Sequence, residues 1–204
     1  LNPNGGTIAL FTTTRAVFQS SNERLIEAFF AEAFIKELDG SPRKLGEIYL
    51  RTKNHPLVIG NNNARRFSLV GDPALDLAFP KHQVFTDSIN GVSVDSVTDT
   101  LKALTKVTIS GFVADQSGAR ISSYNGFVYP TVFDKVQTAS TLGNKSSVYI
   151  APFDVQNSVL YKGKATVKNG KFSYTCVVPK DINYTVGNGK ISYYTFDGNN
   201  DGAG

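Results

Sequence analysis

The chain has 204 residues, 41% hydrophobic and 19% charged, with a formal net charge of +4. That composition belongs to a folded globular chain and excludes a disordered one. The charge is mild and divided, +1 over residues 1–80 (9 basic, 8 acidic) and +3 over 81–204 (12 basic, 9 acidic), so neither half carries the clustered Lys/Arg stripe of a nucleic-acid surface.

The chain opens on Leu1, contains no Met, and stops in the polar tract 197–204 straight after a strand-like run. It reads as an internal piece of a longer protein. No apolar run approaches the length of a membrane-spanning helix. The single cysteine, Cys176, allows no internal disulfide and leaves the compartment open.

The first half alternates strand and helix. Residues 7–11 form a continuous apolar run after Gly5-Gly6, as expected of a strand covered on both faces. Ser20 and Glu23 have capping-box spacing, and Leu25, Ile26, Phe29, Phe30, Ala33, Phe34 and Leu38 follow with helical period. Asp39-Gly40 is expected to end that helix. Ser41-Pro42 opens a second one, running to about Asn54. The triplet Asn61-Asn62-Asn63 reads as loop before a strand at 66–70, and Gly71-Asp72-Pro73 then breaks that strand, because Pro73 cannot donate to a ladder and Gly71 permits unusual backbone angles. Strand, helix, helix, strand is an α/β order, and too short to be a whole domain of that class.

Composition shifts near residue 81. All five Glu lie at or before Glu47 and six of seven Arg at or before Arg66, whereas eight of nine Tyr lie at or after Tyr124. Glu and Arg suit helices and Tyr suits strands, which sets a boundary at residues 80–81. Beyond it, Asn-Gly pairs at 90, 125, 169 and 188 punctuate alternating runs at 107–113, 127–133, 148–155, 159–167, 172–178 and 191–196. The stretch 165–174 is the clearest hairpin, a two-residue turn between period-2 strands. Short strands at this spacing predict an immunoglobulin-like β-sandwich over 81–204, with a connecting hairpin at 81–100.

Few residues suggest chemistry. Cys176 sits midway along a predicted strand, where a thiol is a small apolar side chain rather than a nucleophile. His55 and His82 are expected to face solvent, and two His with one distant Cys do not make a zinc site. Residues 197–202 have the oxygen-ligand spacing of the first half of a calcium loop, and equally the composition of a turn, so no cofactor is expected beyond a structural calcium that this spacing would admit. The loop 12–18 follows the carboxyl end of the first strand, where open α/β sheets bind ligands. There Arg15 and Phe18 fit either a peptide-binding wall or an ordinary connection, with Phe18 a hydrophobic staple and Arg15 in water.

Residues 2–15 (NPNGGTIALFTTTR), the helix with Phe29-Phe30, residues 45–47 (LGE), Asn62-Asn63 and residues 69–75 (LVGDPAL) occur in an order that resembles the C-terminal part of the gingipain-type cysteine peptidase domain. Residues 101–109, 128–135 and 160–164 resemble the β-sandwich that follows it in that family. The resemblance implies the C-terminal portion of a caspase-like α/β domain over 1–80, followed by the immunoglobulin-like sandwich. It implies that the catalytic Cys and His precede Leu1, so this chain alone carries no catalytic residue and is inactive. Phe18, and less directly Arg15, would form part of the substrate-binding wall. Within the family the likeness points to the sortase-like peptidases of type IX secretion, located at the cell surface with the outer membrane. Their implied partners are secreted cargo with C-terminal sorting signals, anionic lipopolysaccharide and other secretion-system components, with no nucleic acid. A different gingipain-like surface protease, or a non-catalytic surface scaffold with a degenerate peptidase domain, are the alternatives.

Overall fold

The computed structural model describes residues 7–37, 40–96, 101–144 and 149–204. The chain divides into two compact units, Leu1–Phe79 and Pro80–Gly204.

In the first unit the elements are β1 (Ala9–Thr13), α1 (Gln19–Ala33), α2 (Leu45–Asn54), a short 3-10 turn (Ala64–Arg66) and β2 (Phe67–Gly71). The two strands pair antiparallel, Leu10 opposite Val70 and Phe11 opposite Leu69. Because side chains alternate along a strand, Ala9, Phe11, Phe67 and Leu69 share one face. That face packs on the helices: Phe11 and Phe67 against Leu25, Ala28, Val58 and Ala64, and Ala9 and Leu69 against Ala33, Leu45 and Ile48. The other face is bare, with Ile8, Leu10 and Val70 each more than half exposed. Among the described residues of this chain, the first strand is thus covered on one face and open on the other, where the sequence predicts cover on both.

Both helix starts differ from the sequence expectation. Helix α1 begins one residue before Ser20, with Phe18 at the N-cap and no side-chain cap from Ser20, because Asn63 Oδ1 accepts the Phe18 N–H at 3.0 Å and anchors the chain there instead. It ends at Ala33, short of Gly40. Asp39 lies outside the described residues. Helix α2 starts at Leu45 rather than after Ser41, because Pro42 and Lys44 are drawn into extended bridges with Lys36 and Asp76. Between those bridges Arg43 is buried, 8% exposed, ion-paired to Glu32 and Glu37.

Gly71-Asp72-Pro73 does more than end a strand. Gly71 has φ +144°, and a Cβ there would lie 2.8 Å from that of Ala9. Asp72 Oδ1 accepts the Ala74 N–H, a turn that brings the Pro73 and Leu75 carbonyls to the Gly46 and Leu45 N–H groups at 2.9 and 2.8 Å. The first turn of a helix has N–H groups without intrahelical acceptors, and these carbonyls satisfy two of them for α2.

The second unit is all β. Its strands are β3 (His82–Ile89), β4 (Val92–Ser93), β5 (Lys106–Ala114), β6 (Gly126–Phe133), β7 (Gln137–Ser140), β8 (Pro152–Val155), β9 (Val159–Lys162), β10 (Ala165–Val167), β11 (Lys171–Val177), β12 (Lys190–Phe196) and β13 (Asp201–Ala203). The expected run 159–167 is two strands, interrupted at Gly163. The expected run 148–155 contributes β8, its first residue lying outside the described residues. Strands β7 and β8 form a separate ribbon.

The remaining nine strands make one sheet in the order β10-β6-β12-β13-β3-β5-β11, with β4 on β3 and β9 on β6. Strand β3 forms a hairpin with β4 around Asn90-Gly91 and is also an interior strand of this sheet, paired to β5 and in parallel to β13. The end strands β10 and β11 are joined by Asn169-Gly170, whose φ values of 50° and 73° are those of a tight hairpin turn. The sheet wraps one core, with Val84, Val107, Ile109, Val128, Phe172, Tyr174, Cys176 and Tyr193 among its inward residues.

Candidate functional site

The loop between β1 and α1 was singled out by its position at the carboxyl end of the first strand, and the structure fixes its geometry through the segment before β2. Asn63, 5% exposed, is the clamp. Its Oδ1 accepts the Phe18 N–H, its Nδ2 donates to Asn22 Oδ1 at 2.8 Å, and its own N–H donates to Asn61 Oδ1 at 2.8 Å. A buried amide with its groups engaged holds its neighbours in one arrangement. Arg66 Nη1 donates to the Ala16 carbonyl at 2.6 Å, a second tie across the same gap. Thr13 Oγ1 accepts the Arg15 N–H and closes the turn out of β1.

Pinned this way, the loop displays its side chains to water. Phe18 is 71% exposed, so it is not the buried staple that an ordinary strand-to-helix connection would make of it. Arg15 is exposed beside Thr13 and Thr14. An aromatic ring and a guanidinium on a rigid backbone can take up a side chain of an extended peptide. Among the described residues, no nucleophile–base pair accompanies them. Sequence reading placed Arg15 and Phe18 in this loop but gave Asn63 no role in it: the residue stood in an Asn triplet that also suits a plain loop, and among the residues carrying the gingipain resemblance.

The other candidates resolve into structural parts. Cys176 points into the core of the second unit, and burial pushes its thiol pKa up, the reverse of what activates a nucleophile. His55 caps the end of α2, with Nδ1 accepting the Leu57 N–H, and His82 packs edge-on against Tyr124 at 5.5 Å between ring centroids. Both are half-buried rather than solvent-facing as expected, because each finds a local partner. In the 197–202 segment, Asp197 Oδ1 accepts the Asn200 and Asn199 N–H groups, which hold its carboxyl below the ordinary range, and Asp201 already belongs to β13. The segment is built as a β-hairpin turn. Among the described residues, no three His, Cys, Asp or Glu side chains gather as a metal site, and no helix is long and apolar enough to cross a membrane.

The model of peptidase family C25, the gingipain family, matches residues 1–78, the span of this first unit with its clamped loop and helix-backed strand pair. Over 98% of its length the chain is similar to the crystal structure of dimeric latent PorU from Porphyromonas gingivalis, at 30% sequence identity and a TM-score of 0.54. It spans 19% of that protein's chain. A further likeness, to the sporulation control protein Spo0M from Bacillus subtilis, has 16% identity and a TM-score of 0.34 over 62% of this chain and 47% of that one. No curated protein matches the chain.

Proposed function

We propose that the chain is part of a cell-surface cysteine peptidase of the gingipain type, in which the first unit is the C-terminal portion of a caspase-like domain and the second an immunoglobulin-like sandwich. The observation that carries this reading is the 30% identity to PorU through both units, with the C25 match confined to the first. The bare face of Ile8, Leu10 and Val70 supports it, because an exposed apolar sheet face is what remains of a larger buried sheet.

In the intact protein the thiolate of a Cys preceding Leu1 attacks a peptide carbonyl near the C-terminal sorting signal of a type IX cargo. A His, also preceding Leu1, protonates the departing amine. The signal leaves and the cargo remains as a thioester on the enzyme. An amine of anionic lipopolysaccharide attacks that thioester, restores the thiolate and anchors the cargo. Water in its place yields plain hydrolysis. This chain's part is to hold Phe18 and Arg15 against the substrate.

The test compares the 204-residue chain with the full-length protein on a sorting-signal peptide and a general protease substrate, with and without an amine acceptor. The reading expects no cleavage by the chain alone and, from the full-length protein, signal cleavage with acceptor-dependent ligation. Cleavage of general substrates alone would make it another gingipain-like protease. No cleavage at all by a folded full-length protein whose latency has been relieved would make it a scaffold.

A further inference from the structure

The β7–β8 ribbon is fastened at its base, and the side chains at its far end are left in water. At the base, Gln156 Nε2 donates to the Asp134 carbonyl at 2.8 Å, the Asp134 N–H donates to the Ser158 carbonyl at 2.8 Å, and the Asp134 carboxylate accepts the Asn183 N–H. Farther out, pairing continues past the strands. The Thr141 N–H donates to the Ala151 carbonyl and the Ala151 N–H to Thr141 Oγ1, both at 3.0 Å. Beyond that last tie stand Leu142, Tyr149 and Ile150, which are 86%, 79% and 56% exposed. Residues 145–148, which join the two sides, lie outside the described residues and form no part of the site.

At such exposure water reaches Leu142 and Tyr149 from nearly every side, and withdrawing apolar surface of this kind from water is favourable. No described residue from Thr141 to Asn144 or from Tyr149 to Ala151 is charged. The first charge met along β8 is Asp154, whose Oδ1 accepts the Thr138 hydroxyl at 3.0 Å. At the rise of a strand it lies about 13 Å from Ile150. Segments that lie in a lipid interface bury their apolar side chains about 5–10 Å deep. The tip can therefore enter to that depth with the carboxylate still in water.

We propose that the tip of this ribbon inserts into a lipid surface, with Leu142 and Ile150 among the acyl chains and Tyr149 at the level of the headgroups, where an aromatic ring with a hydroxyl is favoured. Shape and area both favour lipid over a protein partner. A partner's surface covers one side of a narrow ribbon, whereas a fluid surface closes round a tip exposed on all sides. The three side chains offer roughly 500 Å² between them, short of the ~800 Å² that each partner gives to a stable protein interface. Three side chains give a weak, reversible hold, comparable to that of one acyl chain. The ribbon is thus an auxiliary contact with a membrane rather than an anchor by itself. The inference is independent of the peptidase reading and needs only the 204-residue chain.

The chain contains no Trp, so an indole introduced at one position reports on that position alone. The probe is vesicles of phosphatidylcholine, whose zero net charge gives the chain's +4 nothing to attract. They are titrated into Tyr149→Trp and, as comparisons, Val186→Trp and Leu10→Trp. Val186 is 99% exposed on the loop tied to the ribbon's base, and Leu10 is on the bare face of the first unit. Emission of Tyr149→Trp is expected to shift to the blue and to be quenched by brominated acyl chains, and vesicles should leave the other two unchanged. Added to Tyr149→Trp, Leu142→Asn should lower vesicle affinity about tenfold. Unfolding midpoints establish that each variant keeps the fold. Co-sedimentation of the unsubstituted chain and Leu142→Asn with the vesicles serves if Tyr149→Trp does not fold. No response of Tyr149→Trp to vesicles, an equal or larger response at position 10 or 186, no sedimentation of the unsubstituted chain, or affinity indifferent to Leu142→Asn would each overturn the proposal.

Discussion

The N–H of Gly46 donates to the carbonyl of Pro73 at 2.9 Å, and a Cβ on Gly46 would lie 2.8 Å from the Cβ of Pro73. The first turn of α2 and the break after β2 are therefore one joint, in which a missing side chain makes room for the carbonyl that caps the helix. Gly46→Ala is expected to destabilise the first unit by about 1–3 kcal/mol, because neither helix backbone nor proline ring can retreat without breaking that hydrogen bond. Denaturant unfolding checks it. An unchanged midpoint would mean the joint is looser than its geometry.

Arg43 is held by Glu32 and Glu37 from the region of α1, with its guanidinium almost wholly buried. Arg43→Ala leaves Glu32, which is 18% exposed, near an emptied site. A loss of about 2–4 kcal/mol is expected, reduced from the fully buried case because Glu37 keeps contact with water. Arg43→Lys should recover only part of it, since an ammonium cannot span two carboxylates as a planar fork does.

Burial raises the pKa of the Tyr174, Tyr193 and Tyr124 phenols and of the Cys176 thiol. The folded chain therefore keeps protons that the unfolded chain releases. The contribution of these groups is intact below about pH 8 and is lost as pH climbs past about 10. Phenolate absorbance should rise in two stages, exposed tyrosines first and core tyrosines with unfolding. In the folded state Cys176 should resist alkylation, and Cys176→Ala should leave the full-length enzyme's rate unchanged.

Asp134 behaves in the opposite sense. Burial raises its pKa, but the Asn183 and Lys135 N–H groups and the Lys135 ammonium together hold it below the ordinary value. Its contribution is present above about pH 4 and is lost as pH falls through the folded value. Asp134→Asn should cost about 1–2 kcal/mol at neutral pH and flatten the acid limb of the stability curve.

For the loop after β1, Phe18→Ala in the full-length protein should raise KM or shift side-chain preference with kcat little changed. Asn63→Ala should do the same through loss of the clamp. Unaltered kinetics in both would return the loop to a plain connection.

Much of the second unit was legible because period-2 alternation and Asn-Gly turns are local signals: the runs at 107–113 and 172–178 lie within β5 and β11 to within a residue at each end. The first unit was less so. The order of elements could be read, but the start of α1 depends on Asn63, far along the chain, and the start of α2 on bridges from Lys36 and Asp76. Ser20 and Ser41 offered caps that these distant contacts overrode. The same holds for the site: position after a strand pointed to Arg15 and Phe18, whereas the residue that fixes them lies 45 positions from Phe18.

The parallel pairing of His82 with Gly202 has a kinetic consequence. The β10–β11 turn can close within microseconds, whereas joining β3 to β13 must bring together nearly the two extremes of the second unit, at the entropic cost of closing a very long loop. Folding of this unit should therefore be slow for its size and finish with that pairing. An edge of β3 then stays uncovered until the last step, the interval in which a newly made chain is most open to aggregation.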